Sequence, residues 1–334
     1  MDFKPKILDA LDKLRQKELA NKEPFKARAY ANVIKSLKAY ESPINKIDDI
    51  KDIKGVGAKI YEKIKEIIDT GELKQLEKYT ADIEAINELT KVHGIGPTKA
   101  NDLVKEHGIT TIEELKKHPE LLNAVQKIGL KYVDDFQKRI PRAEMEKHVT
   151  FITGIIQKLD PKLTAEVVGS YRRGAKDSGD IDVIISHDDN PENYDHIIKQ
   201  IVDHMKKESY LTDDLAQGTH KYLGVCRLKR HRTSRRIDLL YATKNVWPFS
   251  LIYFTGSLDM NVILRRVALD KGLSLSEYGF KKVGSANDTI IKLPLYTEED
   301  VFKYLGFKYI PPDERTGSQA MIQKYTAGDY RNNI

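Results

Sequence analysis

Two short segments place carboxylates where a buried strand would carry apolar side chains. In Ser178-Gly179-Asp180-Ile181-Asp182-Val183-Ile184-Ile185, aspartates alternate with aliphatic residues at the start of a strand-like run. Alternate residues of a strand share a face, so Asp180 and Asp182 would present two carboxylates together while Ile181 and Val183 point into a core. Asp238 interrupts a second such run, Arg236-Ile237-Asp238-Leu239-Leu240, and a neighbouring strand could bring it beside the pair. Close like charges repel, and a divalent cation offsets that repulsion. Hard oxygen ligands with an incomplete shell suit Mg²⁺ held partly through a substrate's phosphates. Three carboxylates can hold two such ions, one activating an attacking hydroxyl and the other bridging a triphosphate. Ser170, Arg173 and Gly179, in and just after Gly169-Ser170-Tyr171-Arg172-Arg173-Gly174, are suited to cradle outgoing phosphates. An isolated Asp-x-Asp usually just caps or exposes a surface strand. The preceding Gly-Ser, the arginines between, and a third aspartate in another apolar strand favour the metal reading.

A second feature is an internal repeat. Ile53-Lys54-Gly55-Val56-Gly57-Ala58-Lys59 matches Val92-His93-Gly94-Ile95-Gly96-Pro97-Thr98-Lys99, and each opens an apolar-periodic segment. The pair resembles two helix-hairpin-helix motifs. Gly55, Gly57, Gly94 and Gly96 would permit a tight turn and close approach, leaving unpaired helix N–H groups aimed at a phosphate. Pro97 suits a helix start. One Gly-x-Gly turn is more often a plain connection; two in similar context point to sequence-independent, salt-sensitive grip on a nucleic-acid backbone.

These residues must be held by elements of two kinds. From Lys6 to about Leu89 the pattern is helical, with Ile7, Leu8, Leu11 and Leu14 on one face and Ile60, Ile64, Ile67 and Ile68 repeating the spacing. Helical character continues through Leu103 and Val125 to a break near Arg139-Ile140-Pro141. One more helix, roughly Arg142 to Leu159, is followed by strand-like runs at Glu166-Val168, Ile181-Ile185, Tyr222-Cys226 and Arg236-Leu240, with a helix near Tyr194 to Lys207 between the pairs. After Trp247-Pro248 the pattern predicts one helix around Phe249 to Leu269, then mixed short elements and a loose polar tail beyond Arg315. Cys226 reads as a buried strand residue and Trp247 as packing at a domain junction.

Composition narrows the class. The 334 residues, 40% hydrophobic and 32% charged, allow more than one core. No apolar run is long enough for a membrane span, so the expectation is an intracellular protein, nuclear or cytoplasmic, not secreted and without a membrane partner. A single cysteine, Cys226, excludes an intrachain disulfide and a cysteine zinc site. The net charge of +6 favours a polyanion only weakly, but its distribution says more. Of 15 arginines only Arg15 and Arg28 precede residue 139, whereas the first 138 residues hold 24 of 41 lysines. Bidentate anion contacts are thus expected from the second half. The basic run Arg227, Lys229, Arg230, Arg232, Arg235 and Arg236 reads as a hairpin turn with incidental attraction for DNA, against a direct contact or an import signal.

The ordered set Gly-Ser-x-Arg-Arg-Gly, Ser-Gly-Asp-x-Asp-Val, Arg-Arg-Ile-Asp, and Tyr253-Phe254-Thr255-Gly256-Ser257 with Asn261 and Arg265 resembles the family X DNA polymerases, from about Pro24 to Pro312. The resemblance implies a multidomain α+β chain. It would comprise a helical lyase domain that binds the DNA 5′ end (1–80), a helical duplex-binding domain (81–141), a nucleotidyltransferase-type palm (142–245) and a small α+β nucleotide-selecting domain (246–334). The two helical parts would carry the paired hairpins. The implied activity is gap-filling DNA synthesis of the base-excision repair type on gapped or nicked duplex with deoxynucleoside triphosphates, by a monomer. The implied cofactors are two Mg²⁺, replaceable by Mn²⁺. Asp180 and Asp182 would bind both ions, and Asp238 one ion beside the primer 3′ hydroxyl. Arg139, Ser170, Arg173 and Gly179 would contact the triphosphate, Tyr253, Phe254 and Gly256 the sugar, Asn261 the minor-groove edge, and Arg265, with Arg236, the DNA. Backbone carbonyls of Lys51, Ile53 and Val56, and of Thr90, Val92 and Ile95, would each hold Na⁺ or K⁺.

Lys59 and Lys63, four apart on a helix, would share a face and lower each other's affinity for protons, and a free amine can form a Schiff base with an abasic-site aldehyde. By resemblance Lys63 is the nucleophile of 5′-deoxyribose phosphate removal and Lys59 a DNA contact. Departures are Glu23 and Ala27 where a lysine and a tyrosine are expected, Leu258 and Val262 for an acidic and a basic residue, and Leu240 for an arginine that would pair with Glu277. Lys22, Lys26 and Arg28 are the candidates to compensate at the first two. Two other readings remain: a template-independent nucleotidyltransferase, which would carry a long palm insertion, and a non-catalytic DNA-end binder, which would lack a metal carboxylate.

Overall fold

The computed structural model describes residues 2–77, 80–189, 196–284 and 289–327. The chain divides into two compact units, Met1–Val133 and Asp134–Ile334.

The first unit is helical. Helices α1 (Lys4–Ala20), α2 (Pro24–Ala39) and α3 (Ala58–Thr70) close around Ile7, Leu11, Leu14, Val33, Leu37, Ile60, Ile64 and Ile67. Those from α1 and α3 are the i, i+3, i+4, i+7 positions read from the sequence, and Val33 and Leu37 of α2 join them. A second core, around Leu89, Val92, Ile95, Leu103 and Leu130, is enclosed by α4 (Thr80–Leu89), α5 (Pro97–His107) and α6 (Ala124–Lys131). Asn123 caps α6 reciprocally: Gln126 N–H donates to Asn123 Oδ1 at 2.9 Å, and Asn123 N–H to Gln126 Oε1 at 3.0 Å.

The second unit is built on a five-stranded sheet ordered β2 (Leu163–Val167), β4 (Ile181–His187), β7 (Arg235–Tyr241), β6 (Lys221–Cys226), β5 (Leu211–Gln217). Only β4 and β7 run parallel. Helices α7 (Arg142–Leu159) and α8 (Ile197–Lys207) supply Ile152, Ile155, Ile201 and Met205 to one core. Against them the sheet turns Ile181, Val183 and Ile185 from β4 and Ile237, Leu239 and Tyr241 from β7. The intervening residues, Asp182 and Asp238 among them, belong by the two-residue period to the other face. A one-residue slip would drive both aspartates into this core, so the aliphatic pattern fixes the register. A pair of two-residue strands, β1 (Ile140–Pro141) and β3 (Asp177–Ser178), lies just before the first aspartate.

The rest of the unit is α9 (Trp247–Thr255), α10 (Leu258–Asp270), the ribbon β8 (Leu273–Ser276) and β9 (Gly279–Lys282), α11 (Glu298–Leu305) and α12 (Gln319–Tyr325). Trp247 and Leu251 pack with Val168, just after β2, and with Ile184 of β4. Two expectations are corrected. The single helix over Phe249–Leu269 is broken in two, because Gly256 adopts φ +69° and Ser257 caps α10, its Oγ accepting from Met260 N–H at 3.3 Å. The chain beyond Arg315 is not loose up to residue 327. Met321, Ile322 and Tyr325 are buried and Thr326 bridges to Phe307, while residues 328–334 lie outside the described set. The helix expected from Tyr194 is described from Ile197. Among the described residues no helix is long and apolar enough to cross a membrane.

Candidate active site

The parallel pairing of β4 with β7 sets Asp182 directly opposite Asp238. Asp180 precedes β4 by one residue. Burial pushes the Asp182 carboxyl well above the ordinary carboxylate range, and the charges of Asp180 and Asp238 push it further. Burial likewise raises Asp238, against the pull of Lys221. Half-buried carboxylates that burden one another in this way form a donor set whose charge a cation would neutralise, and hard oxygen donors fit Mg²⁺. The three do not stand as a closed cluster. Arg236 Nη2 donates to Asp180 Oδ2 at 2.5 Å, and among the described residues no three acidic, histidine or cysteine side chains are already gathered as for a metal ion.

One wall of the site is the helical turn Gly169–Arg172. Gly169 has φ +62°, and a Cβ there would lie 2.5 Å from Asp182 Oδ2, so only glycine leaves room for the carboxylate. Ser170 and Ser178 share a hydroxyl hydrogen bond of 2.9 Å. Arg139, brought alongside by the β1–β3 pairing, is exposed. It donates through Nε to Asp177 Oδ1 at 2.8 Å, with its Nη1 2.9 Å from where a Gly179 Cβ would sit. Arg173 donates to the Thr255 carbonyl at 2.6 Å and would pass 3.3 Å from a Gly256 Cβ. The phosphate-binding candidates therefore line one approach to the aspartates and meet the α9–α10 break. There Tyr253 and Phe254 pack edge to face at 4.9 Å. Asn261 Nδ2 donates to the Tyr253 carbonyl at 2.7 Å, and the Arg265 guanidinium lies 5.1 Å from the centre of the Tyr253 ring.

In the first unit the two Gly-x-Gly turns share one backbone conformation. Gly55 and Gly94 lie at φ +96° and +88°, and Gly57 and Gly96 precede α3 and α5 with φ/ψ of −82°/169° and −87°/171°. A Cβ at Gly57 or Gly96 would meet nothing within 4 Å, which leaves both helix starts open to a ligand. Among the carbonyls expected to hold a monovalent cation, that of Ile53 accepts from Val56 N–H at 3.3 Å and that of Val92 from Ile95 N–H at 3.0 Å. Each keeps one lone pair available. Lys51 is paired with Asp48 at 2.5 Å. Lys59 and Lys63 line an open groove on α3 with Glu62 and Glu66, and Lys63 Nζ donates to Gln75 Oε1 at 2.9 Å. Glu23 engages Lys26 at 3.2 Å, so one of the three residues offered as compensation is held by the departure itself.

Comparison with known proteins follows the same layout. The family described as DNA polymerase beta palm matches residues 139–244, and DNA polymerase beta thumb matches 250–316. A helix-hairpin-helix domain matches 2–73, and the fingers domain of DNA polymerase lambda matches 87–137. DNA polymerase lambda of Rattus norvegicus is 33% identical over 324 residues, 92% of this chain and 56% of that protein. DNA polymerase lambda of Arabidopsis thaliana is 31% identical over 332 residues, 94% and 62% respectively. The chain belongs to the family X DNA polymerases. DNA polymerase/3'-5' exonuclease PolX of Bacillus subtilis (strain 168) is 28% identical over 323 residues, 90% of this chain and 53% of that protein. The chain thus spans between about half and three-fifths of the length of these relatives.

Against the family X pattern, the departures sit in distinct settings. Leu258 and Val262 are 80% and 48% exposed on α10, whereas Leu240 is buried in β7 and could offer Glu277 no charge. Two features escaped the sequence reading. Arg172, inside the recognised motif, donates to Glu166 Oε1 (2.8 Å), to Thr255 Oγ1 (2.9 Å) and through both terminal nitrogens to Glu298 (3.1 and 2.8 Å). The fully buried Arg315 donates to the same Glu298 at 2.7 Å. Burial would raise Glu298, but hydrogen bonds from Arg172 and Arg315 hold it below the usual range. The other feature is Gly129, where a Cβ would lie 2.1 Å from the His93 carbonyl. The second Gly-x-Gly turn therefore rests on α6, and Gln126 Nε2 donates to its Gly94 carbonyl at 3.0 Å. Glycine in the interior of a predicted helix was the available signal.

Proposed function

We propose that this chain is a DNA-directed DNA polymerase that fills short gaps in duplex DNA, with an associated 5′-deoxyribose phosphate lyase activity. The observation that carries the polymerase reading is the opposition of Asp182 and Asp238 across parallel strands, beside a glycine that has no room for a side chain. Asp180, Asp182 and Asp238 are the residues that would hold two divalent cations, Mg²⁺ or Mn²⁺. When bound, such ions polarise a phosphoryl group and lower the pKa of an attacking hydroxyl. The protein's own part is positional. Asp238 faces the primer end, Arg139, Ser170, Arg173 and Gly179 align the triphosphate, and Tyr253, Phe254 and Gly256 bound the sugar. Asn261 reads the nascent pair, and Arg236 and Arg265 touch the DNA. The two Gly-x-Gly turns grip backbone phosphate on either side of the gap, with Na⁺ or K⁺ on their carbonyls. The substrates are gapped or nicked DNA and deoxynucleoside triphosphates, and the chain acts as a monomer of four parts, residues 1–80, 81–141, 142–245 and 246–334. Short turns at Gly218–His220 and Arg227–Ser234 disfavour template-independent addition, and the presence of all three aspartates disfavours a non-catalytic end binder.

Extension of a primer across a one-nucleotide gap with Mg²⁺ tests the polymerase. Wild type should add the templated nucleotide and Asp238→Ala should not; template-blind addition, or an active variant, overturns the reading. For the lyase, borohydride should trap the chain on an abasic 5′ end, and Lys63→Ala should remove most of that adduct. An undiminished adduct moves the nucleophile elsewhere.

A further inference from the structure

The basic run before β7 is not absorbed by the active site. Arg227, Lys229 and Arg230 line a groove of about 1070 Å³ together with Lys147 of α7 and Lys207 at the end of α8. All five are exposed, and none has an ion-pair partner among the described residues. That contrasts with their surroundings, where Lys206 is paired with Asp214 at 2.6 Å and Lys199 with Asp203. Two acidic residues share the rim, Glu146 and Glu208, and Arg142 already approaches Glu146 at 3.8 Å. The apolar part of the lining is Phe151, Tyr210 and Leu228, with the Phe151 ring packed at a 33° tilt on the buried Tyr210, 4.3 Å between centres. Arg230 and Ser209, both lining the groove, adopt left-handed backbone, at φ 69° and 58°. Neither is a glycine, so each turn is held against a penalty of roughly 1 kcal/mol. None of Asp180, Asp182 or Asp238 lines this groove.

We propose that this groove binds single-stranded nucleic acid. Five uncompensated cations drawn from three elements suit a chain that carries a charge on every residue, and the guanidinium forks of Arg227 and Arg230 suit phosphate oxygens. The half-buried Phe151 and Leu228 supply an apolar surface for unpaired bases. A duplex would present only its convex backbone and leave that surface unused. The inference does not rest on the polymerase reading, since a chain unable to extend a primer would still show this binding.

The test is fluorescence anisotropy of a labelled 16-residue oligothymidylate on the full chain, titrated with salt, comparing wild type with Lys147→Glu/Lys207→Glu/Arg230→Glu. The variant should bind at least tenfold more weakly, and the slope of log K against log salt should fall by about 2, as expected for three lost phosphate contacts. Bromodeoxyuridine in the oligonucleotide should crosslink to peptides carrying Phe151 or Leu228. The matching glutamine triple variant, with an unchanged melting temperature, should show an intermediate loss. Gap filling at saturating duplex should stay within twofold for both. Unchanged affinity and slope, or crosslinks confined to other peptides, overturn the proposal. So does loss of poly-glutamate binding with oligothymidylate unaffected, which would assign the groove to an acidic protein.

Discussion

Gly169→Ala isolates the demand that the active site makes on one atom. A Cβ at residue 169 would lie 2.5 Å from Asp182 Oδ2, where ordinary contacts begin at 3.4 Å. Val168 N–H donates to the Asp182 carbonyl at 2.8 Å, so the two backbones are tied and the carboxylate itself must give way, by about 1 Å. Misplacement of that size at a reacting centre lowers rates about 100-fold. Gly169 also has φ +62°, which adds a backbone penalty of about 1 kcal/mol for alanine. Gly174 supplies the control: its φ is +78°, and a Cβ there would meet nothing within 4 Å. Both variants should therefore melt lower by similar amounts, roughly 2–4 °C. Only Gly169→Ala should lose about two orders of magnitude in single-turnover extension of a gapped primer. If it extends within threefold of Gly174→Ala, the close approach of turn and carboxylate is not what orients Asp182.

Three other outcomes follow from the packing. His148 is buried, its Nδ1 2.7 Å from Tyr210 Oη, and burial lowers its pKa to about 4. The unfolded histidine binds a proton below its ordinary 6.5 while the folded one stays neutral, so this contribution is intact above pH 6.5 and declines as pH falls toward 4, by about 3 kcal/mol in all. Melting curves of His148→Gln should lose that slope; an identical pH dependence refutes it. Glu298→Gln leaves Arg172 with Glu166 alone and the buried Arg315 with no counter-charge among the described residues, and should cost about 3 kcal/mol, read by urea unfolding. A loss under 1 kcal/mol would mean that solvent reaches the pair. Gly129→Ala forces the His93 carbonyl aside and should weaken duplex binding more than tenfold with little change in extension rate at saturating DNA. Unaltered binding would separate the second Gly-x-Gly turn from DNA contact.

The sequence revealed what is periodic or compact. Asp180 and Asp182 could be placed on one face because strand alternation is a property of adjacent residues, and Ile181, Val183, Ile237 and Leu239 announced the buried side. The paired glycine turns were visible because both copies need the same left-handed position, at Gly55 and Gly94. The opposition of Asp182 and Asp238 could only be anticipated, since register between strands more than 50 residues apart is set by the whole sheet. Strand β5 escaped notice because register shifts at Leu211/Asp213 and Asp214/Ala216 break its alternation. Glu298 escaped because its partners lie 126 positions earlier and 17 later, with nothing local to mark the meeting. The break at Gly256-Ser257 was legible as a glycine followed by a capping serine, but the apolar residues on both sides masked it.

The same β5 has a consequence for how the molecule behaves in a crowded solution. It is the last strand of its sheet, and its outer margin is interrupted by two bulges and carries Asp213 and Asp214. A foreign strand seeking to extend the ladder would meet a bent template and polar side chains, Asp214 already paired with Lys206, instead of a straight row of donors and acceptors. Ironing out the bulges, or exchanging Asp213 for valine, is expected to give that edge the regular, uncharged ladder on which other chains can pair.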